Sequence, residues 1–365
     1  MKLRYIDEFR DPEVARRLLS EIKKISYKPV RLMEVCGTHT MNIGRYALRG
    51  LLPSHVQLIS GPGCPVCVTA TKEIDMMIKM AEEDVIIATF GDLMPVPGSH
   101  TNLNQQRANG ADIRVVYSSF DALGFALKNP QKPVVFLGVG FETTAPTIAA
   151  TIIEAKRRRV RKFFVFSAHK LIPPAMEGLI SSPDLNIDGF ICPGHVSVII
   201  GLKPYKILVK RHKVPCVVTG FELLDILQGI LMLIKQIEKG KARAEIQYRR
   251  AVKEEGNLRA KEVMEEVFFP CDANWRGLGL ISKSGLCFKD DYKEFDVNSH
   301  FDIKVDKAID PPGCRCGDVL KGKIIPPQCP LFAKACRPTH PIGPCMVSSE
   351  GSCAAYYKYR DWEIG

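Results

Sequence analysis

The segment VVFLGVGFETTAPTIAATIIEAKRRR, residues 134–159, contains one complete strand–loop–helix unit. Its first four residues are apolar, which is typical of a strand buried on both faces of a parallel sheet. The glycine-containing loop GVGFETTAP (138–146) follows, and apolar residues then recur at helical spacing as far as residue 159. This order of elements predicts an α/β fold.

The same alternation of short apolar runs and helical segments extends from about residue 30 to residue 240. The eight predicted strands cover residues 31–35, 56–59, 85–90, 113–117, 134–137, 163–167, 189–192 and 214–219. The predicted helices between them cover residues 71–83, 119–128, 145–159, 174–180 and 221–239. Near-continuous apolar strands of this kind predict parallel sheets that helices cover on both faces.

We expect three structural units along the chain. Residues 1–130 and 131–240 are predicted to form two parallel-sheet α/β domains that flank a cleft, with a break at the NPQKP segment (129–133). Residues 241–365 are predicted to form a charged helix, over 241–267, followed by a cysteine-rich domain. The first two units would place their strand-end loops on the same cleft.

Nearly every predicted strand ends in a loop of small and polar residues, which indicates a shared ligand site. In open α/β sheets, ligands bind outside the carboxyl ends of the strands. The loops are CGTHT (36–40), GPGCPVC (61–67), FGD (90–92), GVGFETTAP (138–146), SAHK (167–170), CPGH (192–195) and TGFE (219–222).

The bulk composition favours a cytoplasmic protein that binds metal or carries out redox chemistry. The N-terminal 30 residues contain no signal-like apolar run, and the most apolar helix, over 221–237, is too short and too charged to span a membrane. Thirteen cysteines in a reducing compartment are therefore predicted not to be a set of structural disulfides. The net charge of +11 includes the run KRRRVRK (156–162), which we interpret as a solvated helix end and not as a nucleic-acid site.

Two of the strand-end loops carry thiols that could serve in chemistry. Cys36 and His39 lie three residues apart in CGTHT and could face the same point, as thiolate and imidazole. Cys64 and Cys67 form a CxxC motif at a predicted helix start, where the helix dipole stabilises a thiolate. A redox dithiol is favoured over half of a zinc site, and the set could also hold zinc or iron. Asp92 in FGD is either a helix cap or a functional carboxylate.

The cysteines outside these two loops fall into two groups. Cys216, Cys271 and Cys287 have apolar or mixed surroundings and are predicted to be packing residues. Cys192, near His195 in CPGH, is predicted to border the cleft.

The last 52 residues contain six cysteines among prolines and glycines, with few aliphatic residues to build a core. These six are Cys314, Cys316, Cys329, Cys336, Cys345 and Cys353. Their wide spacing lacks the paired CxxC motifs of zinc ribbons, so an iron–sulfur cluster is favoured over zinc. Four thiols could bind a cluster, and two would remain for redox chemistry.

These motifs resemble, in order and over roughly residues 30–360, those of the HypD family of NiFe-hydrogenase maturation proteins. The matching segments are CGTHT, GPGCPVCVT, FGD, GFETTAP, SAHK, CPGHVS and the tail motifs from PPGCRCGDVL to GPCMVSSEGSCAAYYKY. The resemblance implies a scaffold that pairs with the small protein HypC and assembles an iron carrying two cyanides and one carbon monoxide. HypE would supply the cyanide, and a monomer that forms hetero-complexes is expected.

The resemblance also implies a role for each motif residue. Cys36 would be the thiolate ligand of the iron, with His39 and Asp92 close by and Cys64 and Cys67 as the adjacent redox pair. The tail would hold a 4Fe–4S cluster somewhat like that of ferredoxin:thioredoxin reductase. Its ligands would be Cys314, Cys329, Cys336 and Cys353, with Cys316 and Cys345 as a second dithiol. Glu350 is a further candidate functional residue.

Two functions remain open from the residues. The first is an assembly scaffold with redox-active thiols, which is not a conventional turnover enzyme. The alternative is an iron–sulfur-dependent protein disulfide reductase that uses the CxxC motif and the cluster but not Cys36. No nucleic-acid or membrane partner is expected for either function.

Overall fold

Two parallel sheets and one antiparallel hairpin form the framework of the computed structural model, which describes residues 7–359. The strands are β1 (Val30–Glu34), β2 (Val56–Ser60), β3 (Ile86–Thr89), β4 (Ile113–Val115), β5 (Val134–Gly138), β6 (Phe163–Ser167), β7 (Gly189–Cys192), β8 (Cys216–Val218), β9 (Ala244–Ile246), β10 (Phe268–Trp275) and β11 (Gly279–Phe288). All eight predicted strands are present, and the predicted α/β class with parallel sheets is confirmed.

Helices of four to sixteen residues connect and cover the strands. They are α1 (Pro12–Ile25), α2 (Gly37–Arg45), α3 (Leu48–Leu51), α4 (Pro65–Val68), α5 (Thr71–Met80), α6 (Leu103–Ala108), α7 (Ser119–Lys128), α8 (Ala145–Arg157), α9 (Ile172–Ile180), α10 (Gly194–Ile200), α11 (Lys203–His212), α12 (Leu223–Glu238), α13 (Leu258–Val267), α14 (Cys316–Leu320), α15 (Pro344–Val347) and α16 (Ser352–Tyr359). Across residues 7–359, no helix combines the length and the apolarity needed to cross a bilayer.

The sheets do not follow the order of the chain. The five-stranded sheet has the order β2-β1-β7-β8-β9, and the four-stranded sheet has the order β4-β3-β5-β6. The chain therefore leaves the first sheet after β2, builds the second sheet, and returns to the first at β7. Because β3 and β5 are paired in one sheet, a division at residue 130 does not separate the two sheets. The predicted domain ranges themselves stay a prediction.

Buried apolar side chains from both sheets belong to one core. Met33 and Ile59 of the first sheet share this core with Ile87 and Val135 of the second. A second core lies where α7 and α8 cover the four-stranded sheet, and a third lies where α1 and α12 cover the five-stranded sheet. This arrangement leaves the strand-end loops of both sheets free to meet.

Local sequence signals explain where several helices begin and end. Asp11 caps α1 by accepting a hydrogen bond from the backbone N–H of Glu13 at 2.8 Å. Ser118 caps α7 in the same way, and Asp121 bonds back to the Ser118 N–H at 3.0 Å. Cations occupy the last turn of α8, where they complement the helix dipole. The basic run KRRRVRK (156–162) thus begins in the last turn of α8, which agrees with its interpretation as a helix end.

The predicted charged helix over 241–267 is wrong in its first half. The short strand β9 occupies residues 244–246 and pairs with β8, and only α13 is helical. Gly240 and Gly256 both have positive φ values, which end and separate these elements. Three residues are too few for a strand period to be recognised in the sequence.

The β10–β11 hairpin was not predicted, and it corrects the interpretation of two cysteines. Cys271 on β10 and Cys287 on β11 are diagonal neighbours and form a disulfide with a Cα–Cα distance of 5.8 Å, so they are not simple packing residues. The hairpin contacts other loops through Leu171, whose N–H donates to Ser284 O, and through a bridge between Thr69 and Trp275. It therefore connects the strand-end loops to the chain that follows.

Candidate functional site

Strand-end loops from both sheets line one open cleft of about 450 Å³. The loops that follow β1, β2, β5 and β7 contribute to it, together with Glu350 from the tail. This volume is within the range of small-ligand sites. The cleft predicted from the loops is therefore present, although the FGD, SAHK and TGFE loops do not line it.

Cys36 lies at the head of the cleft, where β1 passes into α2. It is the N-cap residue of α2, and its N–H donates to Glu34 Oε2 at 3.0 Å. Burial raises the pKa of Cys36 to about 12, and the Glu350 and Glu34 carboxylates add to the effect. The thiol is therefore protonated at neutral pH unless a cation replaces the proton. A soft metal ion is such a cation.

The GPGCPVC loop packs directly against Cys36. Gly37 N–H donates to Gly63 O at 2.9 Å. A Cβ atom on Gly63 would lie 2.2 Å from Cys36 N, so only glycine fits at this position. The CGTHT and GPGCPVC loops are therefore in direct backbone contact with each other.

Glu350 connects the cysteine-rich tail to the CGTHT loop. Its Oε1 accepts a hydrogen bond from Thr38 Oγ1 at 2.8 Å. A Cβ atom on Gly37 would lie 2.4 Å from the Glu350 Cβ, which shows how closely the tail approaches. The tail therefore forms one wall of the cleft and places a carboxylate beside Cys36.

His39 does not line this cleft. It is fully buried, and its Nε2 lies 2.9 Å from both Gly220 O and Thr219 Oγ1. Burial lowers the pKa of His39 to about 4. His195 lines the cleft instead. The ring of Phe221 contacts both histidines, with ring-centroid distances of 4.8 Å to His39 and 4.1 Å to His195. The predicted role of His39 beside the iron stays a prediction.

Two other predicted residues also lie away from the cleft lining. Asp92 is exposed in a short 3₁₀ turn, Gly91–Leu93, that follows β3. Cys192 is fully buried inside β7, and it is His195 that faces the cleft from the same motif. The structure thus brings Cys36, Glu350 and His195 together, but not Asp92.

Cys64 is the N-cap residue of the short helix α4, which contains Cys67, and the two are joined as a disulfide with a Cα–Cα distance of 5.2 Å. Cys67 Sγ lies 3.8 Å from Pro344 O, the residue before Cys345. The CxxC motif therefore contacts the Cys36 loop on one side, through Gly63, and the backbone next to Cys345 on the other.

The six tail cysteines line one enclosed pocket whose other walls are mostly apolar. Cys316 Sγ and Cys345 Sγ are 2.8 Å apart, and both residues are buried. Cys336 Sγ accepts a hydrogen bond from Ile342 N–H at 3.3 Å. Within residues 7–359, no three His, Cys, Asp or Glu side chains form a ready metal site. The donor set nevertheless fits a thiolate-bound cluster in its chemistry, since six soft sulfur ligands line a pocket with otherwise apolar walls.

Sequence reasoning missed Arg276, at the tip of the β10–β11 hairpin. Its side chain is buried, and its Nε donates to Thr69 O at 2.9 Å. Contact with Cys345 lowers the pKa of Cys316, and the Arg276 cation lowers it further. The RGLG turn after an aromatic residue was a hairpin signal, but nothing in the sequence placed that turn beside the thiols.

The buried carboxyl group of Glu142, in the GFETTAP loop, makes the free energy of unfolding depend on pH. Its carboxyl group is buried, Oε1 accepts from Ile172 N–H at 3.0 Å, and burial raises its pKa from 4.5 to about 7. A carboxyl group with a raised pKa in the folded chain stabilises folding below its unfolded pKa, and that contribution is lost as the pH rises through the folded value.

Glu142 should therefore contribute a loss on the order of 3 kcal/mol of unfolding free energy between about pH 5 and about pH 8, and Glu142→Gln should lose less than wild type by about this amount. Urea unfolding at both pH values measures the difference. Glu265→Gln, at an exposed carboxyl group, is the matched control. An identical pH dependence in Glu142→Gln and wild type would contradict the assignment.

The fold and the site define an α/β protein with a single thiol at the head of a cleft and a second, cysteine-rich thiol site behind it. A family model described as HypD, hydrogenase formation hypA family, matches residues 13–360. The hydrogenase maturation factor HypD of Escherichia coli is 46% identical over 372 residues, which is 99% of each chain. The HypD of Cupriavidus necator is 44% identical over 98% of this chain and 97% of its own.

An archaeal relative, a putative hydrogenase expression/formation protein of Methanocaldococcus jannaschii, is 44% identical over 96% of this chain and 98% of its own. The chain belongs to the HypD family of hydrogenase maturation factors.

Proposed function

We propose that this chain is a scaffold on which the iron of NiFe-hydrogenase receives two cyanides and one carbon monoxide. The observation that carries the proposal is the placement of Cys36 at the head of a cleft built from loops of both sheets and closed by Glu350. A single thiolate with open space around it suits iron that must later be released, because a closed cage of four ligands would retain it.

The small partner HypC would supply the remaining protein ligand, and HypE would supply cyanide. Metal binding replaces the proton on Cys36, whose pKa is raised by burial in the metal-free chain. Cys36 is the N-cap residue of α2, and the positive end of that helix dipole supports binding of an anionic iron complex here.

The tail is proposed to hold a 4Fe–4S cluster on Cys314, Cys329, Cys336 and Cys353, which would supply electrons one at a time. The short Sγ–Sγ distance between Cys316 and Cys345 supports their assignment as the second dithiol. Thiol exchange between that dithiol and the CxxC pair would bring reducing equivalents to the cleft. A cytoplasmic location agrees with this need for reduced thiols.

Iron retention by the reconstituted chain tests the role of Cys36. With HypC present, wild-type protein should retain iron beyond the amount its cluster accounts for, and Cys36→Ala should retain only the cluster iron. Cys216→Ala, at a buried thiol in β8, is the matched control. Equal extra iron in Cys36→Ala and in the control would contradict the proposed ligand.

The second candidate function is an iron–sulfur-dependent protein disulfide reductase, which the contact between Cys67 and the Cys345 segment favours. That enzyme would turn over an external disulfide with an electron donor, and would depend on Cys64 and Cys67 but not on Cys36. Turnover by Cys36→Ala at the wild-type rate, together with unchanged iron retention, would favour this second function over the scaffold.

A further inference from the structure

The tip of the β10–β11 hairpin contacts both redox pairs, although it carries no thiol itself. On one side, Arg276 N–H donates to Val68 O at 2.8 Å, and Arg276 Nε donates to Thr69 O at 2.9 Å. These two carbonyls follow Cys67 directly in the chain. Arg276 is therefore bonded to the end of the helix that bears the CxxC motif.

On the other side, the hairpin tip contacts the tail at the residue after Cys316. A Cβ atom on Gly277 would lie 2.3 Å from Gly317 Cα, and Gly277 has a φ of +77°, so a glycine is required for two independent reasons. The tip is thus inserted between the segment of Cys67 and the segment of Cys316.

Arg276 is an unusual residue for such a buried position. Its side chain is only 3% exposed, and its two terminal nitrogens have no hydrogen-bond partner within residues 7–359. The nearest carboxylate oxygen, Asp310 Oδ1, lies 3.6 Å from Nη1. Burying an incompletely paired cation costs several kcal/mol. A neutral residue would stabilise the fold better, so a functional reason for the arginine is indicated.

We propose that Arg276 is a positioning residue that holds the Cys64–Cys67 pair against the Cys316–Cys345 pair for thiol–disulfide exchange. The inference rests on the proposed function, in which these two pairs exchange electrons. Cys67 Sγ already lies 3.8 Å from Pro344 O, so Cys345 is the tail thiol whose segment meets the CxxC motif. Without the hairpin tip, neither segment has this common support.

The exchange itself needs only the four thiols of the chain. Cys345 loses its proton and attacks Cys67; a Cys345–Cys67 bond forms, the Cys64–Cys67 bond breaks, and Cys64 leaves as a thiolate that takes up a proton. Cys316 then loses its proton and attacks Cys345, and Cys67 leaves as a thiolate and is protonated. Two electrons and two protons pass from the tail pair to the CxxC pair.

The mixed disulfide between Cys67 and Cys345 gives a direct test. In full-length, cluster-loaded protein with Cys64→Ser and Cys316→Ser, only these two members of the pairs remain, and diamide should join them. Adding Arg276→Gln should slow this cross-linking by about tenfold or more, because small displacements of reacting groups have effects of this size. Mass spectrometry of non-reduced peptides measures the rate. Arg259→Gln, at an exposed arginine that pairs with Glu262, is the matched control.

The outcomes separate a positioning role from a general loss of structure. The expected result is slow cross-linking in Arg276→Gln with unchanged cluster content and unchanged iron retention at Cys36. Cross-linking at the parent rate overturns the inference. If Arg276→Gln does not fold, Arg276→Lys is measured in its place, because lysine keeps the charge but loses the Nε donor. Slow cross-linking in Arg276→Lys supports the inference, and cross-linking at the parent rate overturns it. If no cross-link forms in the protein with only Cys64→Ser and Cys316→Ser, both the role of Arg276 and the proposed thiol exchange between the two pairs are overturned. The iron-binding role of Cys36 is tested separately, by iron retention.

Discussion

Replacing Cys336 by alanine should remove the 4Fe–4S cluster, whereas replacing Cys345 should leave it in place. Cys336 is buried in a small apolar core with Phe332 and Met346, and its sulfur already accepts a hydrogen bond from Ile342 N–H. Cluster sulfurs commonly accept backbone hydrogen bonds of this kind. Cys345 is instead paired with Cys316 at 2.8 Å. Iron and acid-labile sulfide should fall to background in Cys336→Ala and stay at the wild-type amount in Cys345→Ala.

The result for Cys345→Ala tests whether that thiol is a cluster ligand or a member of the second dithiol. Loss of the cluster in Cys345→Ala, or its retention in Cys336→Ala, would contradict the proposed division. The unfolding temperature should also fall in Cys336→Ala, because the tail has few aliphatic residues and depends on its inorganic centre for order. Cys216→Ala, whose thiol lies in β8, controls for the loss of any buried cysteine.

The second large effect is expected at Gly63. In Gly63→Ala, the new Cβ would lie 2.2 Å from Cys36 N and 2.5 Å from Cys36 Cα. Both are backbone atoms, so no side-chain rotation relieves the overlap and the two loops must separate. We expect a loss of about 2–3 kcal/mol in the free energy of unfolding, as for other overpacked sites. Urea unfolding measures it.

Gly124→Ala is the matched control and should change stability in the opposite direction. Gly124 lies inside α7, and apart from its chain neighbours and the backbone of its own helix, no atom of residues 7–359 lies within 4 Å of the position of its added Cβ. Alanine there should stabilise the helix by up to about 1 kcal/mol. A Gly63→Ala variant as stable as wild type would show that the GPGCPVC and CGTHT loops are not packed as described.

The local parts of the fold were predictable from sequence because each strand and helix has its own apolar period. Residues 134–159 show this directly, since the strand, loop and helix predicted there all form. The three-residue β9 was missed because its pairing partner, β8, lies in a separate segment, and the β10–β11 hairpin was missed because it packs on loops far away in the chain. The order of strands within the two sheets was equally inaccessible, since it depends on long-range pairing.

The cleft was predictable, but the orientation of individual side chains in it was not. Loops at the carboxyl ends of strands meet by topology alone, and that was enough to bring Cys36 close to the GPGCPVC loop. His39 shares the motif of Cys36 and yet turns into the protein, because Thr219 and Gly220 offer hydrogen bonds that a sequence does not reveal. Arg276 was missed for the same reason: its contacts join segments more than 200 residues apart.

The infrared spectrum of the anaerobically purified complex with HypC tests the central claim most directly. Cyanide and carbon monoxide bound to iron give stretching bands in a region free of protein absorption. The account predicts these bands in wild-type protein and their loss in Cys36→Ala, with the tail cluster intact in both. Bands of equal intensity in Cys36→Ala would contradict the assignment of Cys36 as the ligand of the assembled iron.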